Sequence, residues 1–147
     1  LPEKAEALEI PPGPWRKDLV AGKVISLPDG RVIDPEDVLG PERVGTKLVV
    51  VGDVGKPHKL LEQVRDADGL VIEATYIMKE ADLASQFGHT TAADVANLAL
   101  EANVKNLYLT HISRRYRDQD IKEEAEAIFP NSFVAHDFDV YQVRHED

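Results

Sequence analysis

The chain has 147 residues, which is enough for one domain with a single hydrophobic core. It contains no cysteine, so disulfide bonds and thiolate metal ligands are excluded, and the cytoplasm is the expected compartment. The formal net charge of −10 argues against a broad nucleic-acid-binding surface, and no apolar segment approaches the roughly 18 residues of a membrane-spanning helix.

Residues 1–46 are predicted to form a lead-in segment with a small β element. The sequence PPGP at residues 11–14 predicts a turn or an extended link, because proline restricts its own backbone and that of the residue before it. In KVISLPDGRVID, residues 23–34, the dipeptide Asp-Gly separates two β-rich runs. That pattern is typical of a β-hairpin.

Residues 47–147 are predicted to form a strand–helix core. Strands are predicted at residues 47–53, 69–75, 106–112, 132–137 and 140–144. Helices are predicted at residues 56–67, 91–104 and 118–129, with a polar loop at 77–90. The alternation predicts an α/β fold with parallel neighbouring strands and right-handed crossovers. The apolar runs LVVV and GLVI predict strands covered on both faces, but the helices are too few to cover more than one.

Three of the predicted strands end in an ionisable residue, namely Asp53, Glu73 and His111. Ligands of parallel α/β sheets bind beyond the carboxyl ends of the strands, so these side chains are expected to share one rim. Each residue alone has an ordinary alternative, since such an aspartate is often a turn or helix cap and such a histidine is often packed. Together they favour a metal site, and their oxygen and nitrogen atoms suit zinc with an open position, or manganese.

Two further segments favour an anion site beside the metal. Thr91 and Asp94 predict a capped helix start, and His89 lies just before it, where free amide groups attract anions. The segment RRYR at residues 114–117 carries three arginines in an otherwise acidic chain. A solvated loop is the alternative interpretation of this cluster. Combined with the rim residues, both segments indicate a phosphate site next to a metal site.

Four motifs in this order resemble a known family. VVGDV, IEATY, GHTTAADVANLA and LTHISRRY resemble the C-terminal half of ribonuclease Z, a metallo-β-lactamase-fold endonuclease that trims the 3′ end of precursor tRNA. Residues 10–41 resemble the segment that leads into that half. The resemblance implies an α/β fold that is one half of an αββα sandwich, with a mixed sheet and helices mainly on one face.

The resemblance also implies a role for individual residues. Asp53 matches the aspartate that bridges two zinc ions, and His111 matches a histidine that ligates one of them. Glu73 and His89 match a catalytic carboxylate–histidine pair that assists the leaving oxygen. The residues that match contacts to substrate phosphate or to the RNA 3′ end are Thr90, Ser113, Arg115 and Gly13.

Two departures from the family pattern affect the expected metal centre. Val54 stands where the family usually has threonine, which removes a hydroxyl beside the site but no metal ligand. The His-x-His-x-Asp-His signature, which supplies most of the zinc ligands, is absent. Asp53 and His111 cannot fill two tetrahedral zinc sites. The missing ligands are therefore expected from an N-terminal half, as a separate or cleaved chain, and the first residue, which is not methionine, favours a fragment.

The implied function is zinc-dependent cleavage of precursor tRNA by two-metal phosphodiester hydrolysis, carried out by a homodimer of the assembled enzyme. One alternative is another metallo-β-lactamase-fold hydrolase that acts on small esters or phosphodiesters. A second is a non-catalytic half-domain that binds a partner. Whichever function applies, the uncovered sheet face would expose a large apolar patch, so the chain is not expected to persist as a folded monomer.

Overall fold

The computed structural model describes residues 1–41 and 44–145. Its contacts divide the chain into two compact units, Leu1–Arg43 and Val44–Asp147. Among the residues that it describes, no helix has the length and apolar character needed to cross a membrane.

The first unit consists of three short helices and a two-stranded antiparallel hairpin. Its elements are α1 (Pro2–Ala7), α2 (Pro14–Val20), β1 (Ile25–Ser26), β2 (Val32–Ile33) and α3 (Pro35–Val38). The hairpin matches the prediction, with Ile25 opposite Ile33. The helices differ from the prediction of a turn or link alone. Each has proline in its first turn, where the missing N–H costs no hydrogen bond.

The second unit is a four-stranded sheet with helices between the strands. Its strands are β3 (Leu48–Val50), β4 (Gly69–Glu73), β5 (Leu107–Thr110) and β6 (Ser132–Val134). Its helices are α4 (Leu61–Val64), α5 (Ala81–Phe87), α6 (Ala92–Glu101) and α7 (Asp118–Glu126), and 3₁₀ turns at Pro57–Leu60 and Met78–Glu80 precede α4 and α5. The order is β3-β4-β5-β6 and every neighbouring pair is parallel. The α/β class is confirmed, and among the described residues the antiparallel pairing lies in the separate hairpin.

The helices cover one face of this sheet. Leu70, Ile72 and Leu109 are fully buried in one core with residues of α4, α6 and α7. The opposite face carries the row Val50, Val71, Tyr108 and Phe133, which are aligned by strand register. The C-terminal tail lies over part of this row: the rings of Tyr141 and Tyr108 are 4.6 Å apart.

Two predicted elements were wrong. Residues 140–144 do not form a strand, because this segment lies across the face of the sheet and not beside its edge, with Val143 against Gly69. A Cβ atom at Gly69 would approach Val143 Cγ1 to 3.1 Å, so glycine permits this contact. The expected polar loop at residues 77–90 contains the helix α5. Ala84 is the buried residue of this helix, and Gly88, in the left-handed conformation, ends it.

Candidate metal and phosphate site

The carboxyl ends of β3, β4 and β5 lie side by side and bring three predicted residues together. Glu73 is the last residue of β4 and is paired with Thr110, so His111 follows β5 at the same level of the sheet. Asp53 lies just beyond Val51, whose backbone N–H still donates to the carbonyl of Val71 on β4. As a result, His111 Nε2 and Asp53 Oδ1 are 3.8 Å apart.

His89 joins Asp53 and His111 to make a group that could hold a metal ion. One ligand atom of each residue lies within 4.8 Å of the other two. The side chains of His111 and Asp53 are 55% and 64% exposed, so an ion could reach them from solvent. Two imidazoles and one carboxylate are a common ligand set for zinc with an open position. The family resemblance gives His89 a catalytic role only, whereas its ring also lies among the candidate metal ligands.

Glu73 is a buried carboxylate directly behind His89. Its side chain is 1% exposed, and both of its oxygens lie 3.0 Å from His89 Nδ1. The backbone N–H of Val54 also donates to Glu73 Oε1, at 2.6 Å. An ionised carboxylate only accepts, so Nδ1 must carry the proton of this imidazole. Nε2 of His89 is then the nitrogen that is free to meet a ligand or substrate.

Close backbone packing brings the loop of Asp53 against the loop of His89. A Cβ atom at Gly55 would lie 3.2 Å from the carbonyl carbon and oxygen of Gly88. Glycine at position 55 therefore permits an approach that a larger residue would prevent. The neighbouring Val54 packs its side chain on the main core, which accounts for an apolar residue at this position.

The start of α6 fixes the segment that follows His89. Thr91 is the N-cap residue, and its hydroxyl oxygen accepts from the Asp94 N–H at 3.1 Å, as the sequence predicted. Thr90 precedes it, and its carbonyl accepts from the Tyr76 N–H. The Thr90 side chain is buried, and its hydroxyl has no hydrogen-bond partner in residues 1–41 and 44–145. Its contact with phosphate remains a prediction.

Thr75, which the sequence analysis did not select, lies at the centre of these residues. Its hydroxyl contacts a carboxylate oxygen of Glu73 and lies 2.9 Å from the carbonyl oxygen of His111. The same hydroxyl is 3.5 Å from His89 Nδ1. Its position two residues after Glu73 in the motif IEATY was the only available sequence signal, since the contact to His111 spans 36 positions.

Two of the predicted phosphate contacts, Ser113 and Arg115, lie on the segment that follows His111. Arg115 Nη2 donates to Glu80 Oε1 at 3.0 Å, and the Tyr116 hydroxyl contacts the other oxygen of Glu80. Ser113 accepts the Arg115 N–H weakly, at 3.4 Å. Arg115 is 56% exposed, so its guanidinium remains accessible. The acidic partner of this arginine was not predicted from the sequence.

Gly13 belongs to the first unit, where it precedes α2 with a φ of 116°. The conformation is one that glycine adopts readily. Its contact with the RNA 3′ end remains a prediction.

Solved structures with the same fold are found for this chain. It aligns with the short form of human tRNase Z at a TM-score of 0.55 and 25% identity, over 78% of this chain and 36% of that chain. It aligns with the metallo-β-lactamase-fold protein YhfI of Bacillus subtilis at a TM-score of 0.54 and 21% identity, over 58% and 34%. The fold is therefore that of the metallo-β-lactamase class.

Curated relatives narrow this class to one family. The chain is 50% identical to the ribonuclease Z of Bradyrhizobium diazoefficiens over 139 residues, which are 95% of this chain and 46% of that protein. It is 40% identical to the ribonuclease BN of Proteus mirabilis over 144 residues, or 96% and 47%. No family model matches the chain. The chain is similar to ribonuclease Z over nearly its whole length, and it spans about half the length of the curated relatives it matches.

Proposed function

We propose that the chain is the C-terminal half of a zinc-dependent endoribonuclease that cleaves precursor tRNA at its 3′ end. The observation that carries the proposal is the grouping of Asp53, His89 and His111 directly in front of the buried Glu73. The name ribonuclease Z, shared by relatives at up to 50% identity, supports the substrate.

The ligand count supports a centre shared with another polypeptide. Three donors, Asp53, His89 and His111, are enough for one zinc ion with an open position, but not for two tetrahedral ions. Two-metal hydrolysis therefore needs ligands from an N-terminal half, whether separate or cleaved. When bound, zinc would supply a hydroxide nucleophile near neutral pH and neutralise charge on the phosphate. Asp53 would bridge the ions and His111 would ligate one of them.

The Glu73–His89 pair supplies the proton for the leaving group. Glu73 accepts a hydrogen bond from Nδ1–H, which fixes the orientation of the imidazole. Nε2 can then protonate the 3′ oxygen as it leaves. In this role His89 is a catalytic residue, and metal ligation by the same nitrogen is the competing role.

The segment after His111 would hold the substrate phosphate. Arg115 offers a guanidinium that forms paired hydrogen bonds to phosphate, and Ser113 offers a hydroxyl group. Thr90, on the segment that follows His89, is a further candidate, but its buried hydroxyl must become exposed to reach a phosphate. In this structure the guanidinium of Arg115 is hydrogen-bonded to Glu80. A substrate phosphate must therefore displace Glu80 or bind Arg115 together with it. The tRNA, the N-terminal half and a homodimer of the assembled enzyme are the partners in this proposal.

Two other functions fit the same rim. A hydrolase of small phosphodiesters would use the same metal and proton donor, and a partner-binding half-domain would use neither. The wide exposure of Asp53 and His111 sets no size limit on the ligand within this chain, so a small phosphodiester also fits the rim.

The test is reconstitution. The chain is produced together with the part of the Bradyrhizobium diazoefficiens ribonuclease Z that lies outside the matched region. Cleavage of precursor tRNA and of a chromogenic phosphodiester is then measured with added Zn²⁺. We expect zinc-dependent cleavage of precursor tRNA that His111→Ala abolishes and His136→Ala, a histidine outside the metal group, preserves. Cleavage of the small substrate alone would favour the alternative hydrolase. No cleavage from a well-formed complex would favour the partner-binding half-domain.

A further inference from the structure

Thr75 combines an unusual number of contacts for one small side chain. It is 7% exposed and lies two residues beyond the end of β4. Its hydroxyl lies within hydrogen-bond distance of both the Glu73 carboxylate and the His111 carbonyl. A threonine hydroxyl has one proton, so these two acceptors share a single donor.

The backbone of Thr75 contacts the same turn. Its carbonyl oxygen accepts from the N–H of Ser113 at 3.2 Å, and its hydroxyl contacts the carbonyl of His111 at 2.9 Å. Thr75 therefore holds both sides of the peptide segment that connects His111 to Ser113. Alongside it, the N–H of Ala74 donates to Thr110 O, which continues the attachment of β4 to β5.

His111 needs such support because its backbone is in the left-handed conformation. Its φ is 53°, which a side chain with a Cβ atom adopts at a cost. A residue persists there only when the surrounding structure fixes it. In this conformation the imidazole points toward Asp53, with Nε2 3.8 Å from Oδ1. The position of this candidate metal ligand thus depends on contacts behind it.

We propose that Thr75 is a positioning residue that links the Glu73–His89 pair to the metal ligand His111. The hydroxyl fixes the carbonyl of His111 on one side and the carboxylate of Glu73 on the other. It thereby sets the separation between the group that would donate a proton and the group that would bind zinc. The inference rests on the proposed function of this site, since it takes His111 as a ligand.

Two substitutions separate the hydroxyl from the methyl group of Thr75. Thr75→Val keeps the shape and removes the hydroxyl, whereas Thr75→Ser keeps the hydroxyl and removes the methyl group. If the side chain acts by packing alone, valine should behave like the natural residue and serine should be defective. If it acts through its hydroxyl, the order should be reversed.

The measurement is the Zn²⁺ affinity of the reconstituted complex of this chain with the N-terminal half, obtained by competition with a chromogenic chelator. Thr75→Val is expected to weaken zinc binding by roughly 10- to 100-fold, and Thr75→Ser by less than about 3-fold, as for residues that support metal ligands. The thermal unfolding midpoint without metal is recorded for each variant. A merely structural role would lower that midpoint without changing the shift that added Zn²⁺ produces.

Each outcome decides the matter. If Thr75→Val binds zinc as tightly as the natural protein, the proposed role of Thr75 is overturned while the proposed function stands. The same conclusion follows if Thr75→Ser binds zinc more weakly than Thr75→Val. If the valine variant does not fold, the serine variant is decisive: affinity equal to the natural chain upholds the role, and a loss of about tenfold or more overturns it. A reconstituted complex of the natural chain that binds no Zn²⁺ would contradict the metal site of the proposed function itself, and the inference with it.

Discussion

His89 Nδ1 lies 3.0 Å from both carboxylate oxygens of Glu73, and that carboxylate is buried at the end of a central strand. The backbone N–H of Val54 and the hydroxyl of Thr75 complete its surroundings. Each of these three partners donates a hydrogen bond to the carboxylate. Burying a charge is tolerable only when it is paired in this way. The Glu73–His89 pair is therefore expected to contribute both to the stability of the domain and to the chemistry of the site.

Glu73→Gln should destabilise the chain. The amide NH₂ group cannot accept, so at least one of the donors from His89, Thr75 and Val54 loses its partner. Leaving one buried polar group unsatisfied costs about 1–3 kcal/mol. Urea unfolding of the variant should show this loss as a lower midpoint with an unchanged slope. The matched control is Glu62→Gln, at an exposed glutamate paired with Arg65, which should leave the midpoint unchanged. Equal midpoints for Glu73→Gln and the natural chain would contradict the role of Glu73 in this network.

His89→Ala distinguishes proton transfer from metal ligation. In the reconstituted enzyme the variant should keep its zinc and cleave precursor tRNA on the order of 10²-fold more slowly, as expected for a lost acid–base group. Metal content by mass spectrometry and single-turnover cleavage are measured on the same preparation. Loss of zinc together with activity would instead assign His89 as a ligand with Asp53 and His111. His111→Ala, which should lose both zinc and activity, is the reference for the loss of a metal ligand.

The grouping of site residues at the carboxyl ends of the strands could be predicted, because the sequence features that indicate it are local. The apolar runs of β3, β4 and β5 each lead into Asp53, Glu73 or His111, and parallel strands place such residues at one edge. The cap of α6 was also predictable, since Thr91 and Asp94 are three positions apart.

The contacts behind the rim could not be predicted in this way. His89 reaches Glu73 because α5 ends at Gly88 and because Gly55 permits close backbone approach, and neither effect appears in hydrophobic periodicity. The pair of Arg115 with Glu80 joins residues 35 positions apart. Side-chain partners at such separations are set by tertiary packing, which a single sequence does not specify.

His136 should make the stability of the chain depend on pH. Its ring donates to Asp118 and, more weakly, to Asp139, and these hydrogen bonds raise the pKa of His136 above its usual value of 6.5. A raised pKa in the folded state stabilises the protein below the unfolded pKa, and this contribution disappears as the pH rises through the folded pKa. His136→Gln should therefore be less stable than the natural chain near pH 6 and equally stable near pH 9.

The measurement for His136 is the thermal midpoint of both proteins across this range, together with an NMR titration of the ring. Because the ion pair is exposed, the difference should shrink in about 1 M salt, where screening is strong. The exposed His58 provides the control variant, His58→Gln, which also removes one histidine but leaves the contacts of His136 with Asp118 and Asp139 in place. A titration midpoint of His136 at or below 6.5 would contradict the prediction.

The uncovered face of the sheet should drive association. Val50 is 69% exposed on β3, at one side of the sheet, and Leu48 and Phe133 are 51% and 38% exposed. Tyr141 covers Tyr108 and Phe133, but nothing in the described part of the tail reaches Val50 closely enough to bury it. Each 100 Å² of apolar surface left in water forgoes roughly 2.5 kcal/mol, against a net stability of about 5–15 kcal/mol for a domain. We therefore expect the chain to pack against an N-terminal half or to dimerise through this face.

Val50→Lys tests that surface directly. A charge at this edge should weaken edge and face contacts between copies without disturbing the core beneath the helices, since Val50 points away from it. Sedimentation at micromolar concentration should show the natural chain above its monomer mass of 16.3 kDa, and Val50→Lys shifted toward the monomer. Val20→Lys is the matched control, because Val20 is 75% exposed but belongs to α2 in the first unit. A natural chain that sediments as a single monomeric species and binds no hydrophobic dye would show that its own tail covers the face sufficiently.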